Sequence, residues 1–188
     1  MPDPALAELV RHAEPISDVA VHRQTGNHRH HYERVADWPD GLIVVGDALC
    51  AFNPIYGQGI TVAACEALLL RRAMATGLKP GYARRLLRQF AGVVSLPWTI
   101  ATSEDLRYPT STGRQSLPQA LLGRWARYLG RLAVHGDRRA HTVLISVYHL
   151  VGSPALLFHP ALGAAALRAR LTGYGPPAPR PAVLDAFT

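Results

Sequence analysis

The stretch Gly41–Leu70, GLIVVGDALCAFNPIYGQGITVAACEALLL, decides how the chain is read. Leu42 to Gly46, LIVVG, is a short continuous apolar run, the pattern of a strand covered on both faces as in a parallel sheet. Gly46 and Asp47 follow at its C-terminal end, where open sheets bind ligands. An ionised Asp is acceptor-only and suits a polyol hydroxyl. Pro54 fixes the loop backbone, and Gly57 and Gly59 let a flat or bulky ligand approach the main chain. From Gly59 to Thr76 small and apolar residues dominate, which predicts a helix packed closely on a sheet and ended by Gly77. Its free N–H groups and positive dipole end favour an anion or an electron-rich edge.

Upstream, Pro4 to His12 reads as a short helix end. Ile16 to Arg23 partly alternates, with Ile16, Val19 and Val21 apolar, and predicts a strand. Gly26-Asn27 begins a polar turn. His28, His30 and His31 stand among arginines in no metal-ligand spacing, so a solvated turn is expected there and no metal. DWPDG, Asp37 to Gly41, is turn chemistry, because Pro39 cannot continue a strand ladder and Asp40-Gly41 favours a bend.

Downstream the chain reads as mainly helical. Gly81 to Ser95 places Tyr82, Leu86, Phe90 and Val93 at near-helical spacing, and Pro97 is expected to break that helix. Leu117 to Val134 and Asp137 to Leu150 are amphipathic, with Asp137 as N-cap. Pro154 and Pro160 mark two shorter helices. The tail from Gly175 is proline-rich and expected to be extended or disordered. The divisions expected are 1–96, the sheet region with the GD motif and the helices after it; 97–174, a helical region; and 175–188, the tail.

Bulk properties narrow the function classes. The chain has 188 residues, 48% of them apolar, enough for a packed core. No apolar run approaches the ~18 residues of a membrane span, and MPDPALAELVRHAEP, with early acids and no long apolar core, is not expected to be a secretory signal. The net charge of +7 comes from scattered arginines, with Lys79 the only lysine. No aromatic residues interleave with them as in a stacking surface, so nucleic acid is not the expected partner. Cys50 and Cys65 fit neither a disulfide framework nor a metal spacing, which leaves a reducing, cytoplasmic setting as the expectation.

The order GD, six residues, Pro54, GQG and a small-residue helix resembles the second flavin-binding motif of FAD-dependent aromatic-hydroxylase-type monooxygenases. The resemblance extends upstream through YERVADWPDGLIVVGDA and more loosely downstream through LPWTIATSEDLRYP. It implies an α/β, α-rich fold: the C-terminal part of an FAD-binding Rossmann-type monooxygenase, with a strand–loop–helix flavin motif followed by helices. It implies that Asp47, after Gly46, hydrogen-bonds the ribitol of FAD and that Pro54 lies beside the isoalloxazine ring. Gly57, Gln58, Gly59, Ile60 and Thr61 would bring backbone N–H groups to the pyrimidine edge of the flavin. NAD(P)H would reduce the flavin, and oxygen would be added and transferred to an apolar or aromatic small molecule.

One half of such a site is not found. No G-x-G-x-x-G, the turn that holds the FAD pyrophosphate, occurs in the chain. The expectation is therefore the C-terminal half of a monooxygenase, needing a complementing N-terminal half or a homodimer to bind FAD well. The alternative is a non-catalytic remnant or interaction subunit. No catalytic residue is nominated; Arg34, Asp105, Arg107 and Tyr108 stand as substrate- or flavin-facing candidates against the plainer reading of turns and caps.

Overall fold

The computed structural model describes residues 5–21 and 26–176. Among them are six α-helices: α1 (Ala5–His12), α2 (Gly59–Ala75), α3 (Tyr82–Asp105), α4 (Leu117–Val134), α5 (Arg138–Tyr148) and α6 (Pro160–Thr172). The one sheet among the described residues has two strands of two residues each, β1 (His28–Arg29) and β2 (Cys50–Ala51). They are antiparallel, with His28 opposite Ala51 and Arg29 opposite Cys50. The protein is therefore mostly helical, and the α/β, Rossmann-type architecture expected from the sequence is wrong.

The reason lies in Leu42 to Val45. Val45 is extended, with φ −137° and ψ 161°, so the local conformation expected of an apolar run is present. A strand also needs a neighbour, and among the described residues no strand pairs with this segment. Among the described residues the one hydrogen bond to its backbone is from Trp38 Nε1 to the Leu42 carbonyl, 2.9 Å. Leu42 and Val45 are exposed rather than covered on both faces. The strand expected over Ile16 to Arg23 also fails over its described part, 16–21. There Ile16, Val19 and Val21 all face solvent, so the alternation has no core to serve; residues 22–23 lie outside the described residues.

Two apolar clusters hold the helices. The first gathers Leu49, Cys50, Val62, Leu86, Leu87, Phe90 and Val94, joining the β2 region, α2 and the first half of α3. The second gathers Leu129, Leu132, Ala140, Val147, Leu157, Leu162, Ala165 and Ala169 from α4, α5, the 3₁₀ turn Pro154–Phe158 and α6, with Leu96 of α3 packed against it. Helix α3 serves both clusters, which requires it to run on through Pro97. The expected break does not occur. Pro97 is fully buried, so its ring contributes apolar contact that offsets the lost bond to the Val93 carbonyl. Trp98, on the next position, packs into the first cluster.

The helix ends follow local chemistry. Gly77, at φ 81°, stands just past α2 as expected. Asp137 caps α5, its Oδ1 accepting from Ala140 N–H at 2.9 Å. Ser116 and Gln119 form a capping box on α4. Asp40 does more than bend the chain. Its carboxylate accepts from Gly81 N–H at 2.6 Å and Ala83 N–H at 3.2 Å, capping α3 from a segment far away in sequence. No helix among the described residues is long and apolar enough to cross a membrane. The proline-rich tail from 177 onward lies outside the described residues.

Candidate functional site

The segment between Gly46 and Gly59 is a chain of tight turns. Gly46–Ala48 forms a 3₁₀ turn, with Gly46 at φ +60°. Pro54–Tyr56 forms another, capped by Asn53 Oδ1 accepting from Ile55 N–H, and Gly57 ends it in the left-handed conformation, φ +64°. Glycine at 46 and 57 is what these two reversals require. Helix α2 begins at Gly59, and its first intrahelical bond runs from Val62 N–H to the Gln58 carbonyl, 3.0 Å. Gln58 gives no side-chain cap, so the N–H groups of Gly59, Ile60 and Thr61 have no partner within the helix.

These turns enclose an open cleft of about 480 Å³, lined by Gly46, Asp47, Pro54, Gly57, Gln58, Gly59 and Ile60, with Phe52, Asn53 and Ala63. Seven of the eight residues expected from the sequence thus share one wall; Thr61, half-buried on α2, is not part of the lining. The Asp47 carboxylate stands at the start of α2, where a Cβ on Gly59 would meet its Oδ1 at 3.6 Å. That position satisfies the helix dipole. Of the two ligands expected at the helix start, an anion or an electron-rich edge, this arrangement favours the electron-rich edge, because a carboxylate already stands there. What the cleft offers is an acceptor beside unpaired N–H donors, a pairing that fits hydroxyl and carbonyl groups better than a second carboxylate or phosphate.

Two braces hold this wall, one at Glu66, which the sequence reading missed, and one at Asp105, which it named among the substrate- or flavin-facing candidates. Glu66 of α2 is wholly buried, and its Oε2 accepts from Gly46 N–H at 2.7 Å. Burial pushes its pKa up, against the pull of that bond. The sequence carried one signal for it: Glu66 is the only acid between Asp47 and Glu104. The second brace is a polar network around Asp105 at the end of α3. Its carboxylate accepts from Asn27 Nδ2, Tyr56 OH and, at 3.5 Å, Asn53 Nδ2. Asn27 Oδ1 accepts in turn from Asn53 N–H at 2.8 Å. Burial and then the Asp105 bond push the Tyr56 pKa up. The Pro54 loop is therefore tied at Asn53 and Tyr56 to both α3 and the β1 end.

Of the four substrate-facing candidates, only Asp105 enters this network. The Arg34 side chain is exposed beside Glu33, Arg107 pairs with Glu104, and Tyr108 is exposed. Among the histidines, His31 Nδ1 lies 2.8 Å from Glu33 Oε1 and His30 stacks on Tyr32. Cys50 is buried, its thiol pushed up to about 12 by desolvation, with Arg29 pulling the other way.

No protein-family model matches the chain. Protein Rv3254 of Mycobacterium tuberculosis (strain ATCC 25618 / H37Rv) is 31% identical over 123 residues, which is 64% of this chain and 25% of that protein. The chain thus spans about a quarter of the length of this relative.

Proposed function

We propose that this chain supplies the flavin-facing wall of an FAD-dependent, NAD(P)H-reduced monooxygenase acting on an apolar or aromatic small molecule. The remainder of the FAD site comes from polypeptide outside this chain or from a second copy. The observation that carries the reading is the shared cleft. The residues that the motif resemblance nominates, from Gly46 and Asp47 to Ile60, line one open wall of about 480 Å³. The chemistry of that wall agrees: an acceptor at Asp47 suits the ribitol, and unpaired N–H donors at the start of α2 suit the carbonyl edge of the flavin ring. Electrons and oxygen chemistry belong to the cofactor when it is bound; the chain's contribution is to orient it and to exclude other geometries.

The test is a titration of the purified chain with FAD, followed by flavin fluorescence and visible absorbance, with Asp47→Ala alongside. Saturable binding weakened at least about tenfold by Asp47→Ala, a loss of at least about 1.4 kcal/mol, supports the reading. Failure to bind FAD in the presence of the completing polypeptide overturns it. A specific observation favours a second reading, a partner-dependent subunit without chemistry of its own. Leu42 and Val45 are apolar and exposed beside the Asp47 turn, and Ile60 is 88% exposed at the cleft. Under that reading the completed assembly forms without binding FAD.

A further inference from the structure

Glu66 poses a physical question. It is 0% exposed, its Oε2 holds the Gly46 amide, and its Oε1 has no hydrogen-bond partner among the described residues. Burying a carboxylate with one oxygen unsatisfied costs stability. An apolar side chain of similar volume would fill the same space without that cost. The first apolar cluster, with Leu49, Cys50 and Val62, lies around this part of α2, so the core alone gives no reason for an acid there.

Its position does. Gly59, Ala63 and Glu66 recur at helical spacing and form one face of α2. That face lies on the Gly46–Ala48 turn at three successive points. A Cβ on Gly59 would meet Asp47 Oδ1 at 3.6 Å, and a Cβ on Gly46 would meet Ala63 Cβ at 4.0 Å. One turn further, Glu66 accepts the Gly46 N–H at 2.7 Å. Gly46 is also where the backbone turns to φ +60°, and the residue before it, Val45, gives that turn no side-chain cap. The direction of the Asp47 side chain follows from how Gly46 is held.

We infer that Glu66 is a positioning residue: it clamps the Gly46 amide and so sets where the Asp47 carboxylate stands relative to the start of α2. The clamp itself is read from Gly46; that it serves cofactor binding rests on the flavin reading above.

The experiment follows amide hydrogen exchange at Gly46 in the full chain by NMR, with Gly57, whose N–H is bonded to the Pro54 carbonyl at 3.1 Å, as internal reference. Glu66→Gln keeps an acceptor oxygen; Glu66→Leu removes it at similar volume. In the wild-type chain the Gly46 amide is expected to exchange at least about tenfold more slowly than a free amide. Glu66→Gln should keep most of that protection. Glu66→Leu should abolish it at Gly46 while leaving Gly57 unchanged, and should weaken FAD binding at least about tenfold where Glu66→Gln does not. A purely structural role would instead loosen Gly46 and Gly57 together. An unprotected Gly46 in the wild type, or protection that survives Glu66→Leu, overturns the clamp, and the first of these needs no variant to fold. If no form of the chain binds FAD even with the completing polypeptide present, the flavin reading falls while the exchange data still decide the clamp.

Discussion

Two glycines of the cleft are there for different reasons, and replacing each with alanine should move stability in opposite directions. Gly46 has φ +60°, and a Cβ there would make only an ordinary contact, with Ala63 Cβ at 4.0 Å. Gly46→Ala therefore costs only the left-handed backbone, about 1–2 kcal/mol. Gly59 has no positive φ and begins α2, and a Cβ there makes an ordinary contact of 3.6 Å with Asp47 Oδ1. Gly59→Ala should gain up to about 0.5–1 kcal/mol of helix preference, less at a first-turn position than in a helix interior. In a chain of 188 residues a kcal/mol shifts Tm by about 2–4 °C. Gly46→Ala should lower it by roughly 2–8 °C, and Gly59→Ala should leave it unchanged or raise it by up to about 4 °C. Circular-dichroism melts and urea titrations read both. In a flavin titration Gly59→Ala should also bind worse despite its stability, because the new methyl occupies the space between Asp47 and the helix start. Equal destabilisation by both variants would refute the reasoning, since it would mean that the Gly59 position also lacks room or needs a glycine backbone.

Further outcomes follow from the same geometry. A thiol reagent at pH 8 should label one cysteine per native chain, the half-buried Cys65, and both only after denaturation. Because the Cys50 thiol is raised from 9.0 to about 12, the folded state keeps a proton that the unfolded chain loses; this contribution is complete below pH ~9 and is lost as pH rises toward ~12, which a pH series of urea midpoints would show. Tyr56→Phe should destabilise by about 1–3 kcal/mol by leaving the half-buried Asp105 carboxylate short of a donor; no loss in urea unfolding would mean that solvent replaces the hydroxyl. Phe90→Ala, in the first cluster, should cost about 3–5 kcal/mol in the same assay.

What the sequence discloses and what it conceals divide by range. Helix α4 begins and ends at the residues read from its pattern, and Asp137 and Gly77 mark helix ends by chemistry confined to one turn. The order of the turns around Asp47, Pro54 and Gly57 is legible for the same reason: each glycine and proline acts on its own φ. The architecture was misread where a local pattern depends on distant neighbours. An apolar run such as LIVVG reports extended backbone, but only a second strand makes it a sheet, and no local signal tells whether one is present. Pro97 reads as a breaker until the burial of its ring is known. Asp40 reads as a bend until Gly81 and Ala83 are seen donating to it. Glu66 was visible only as an isolated acid, and its role needed the Gly46 amide beside it.

These long-range bonds also bear on why the wall can exist with the cleft open on one side. Three points along these turns are each tied to residues outside the cleft's lining: Gly46 to Glu66, Asn53 to Asn27, and Tyr56 to Asp105. None of these three bonds uses the Asp47 carboxylate or the first-turn N–H groups of α2. The geometry of the wall is thus set before anything binds, and ordering it costs a ligand little. The open side differs. Ile60 is exposed at the cleft, Val45 and Ile55 are exposed next in sequence to lining residues, and among the described residues the backbone of 43–45 makes no hydrogen bond. A small molecule in the cleft could cover Ile60, but it could not also pair the amides of 43–45, which lead into the Asp47 turn from outside the lining. Water can pair those amides, but a polypeptide laid along 43–45 would pair them and cover the apolar side chains together; under the flavin reading proposed above, that is the reason to seek the rest of the site in a chain.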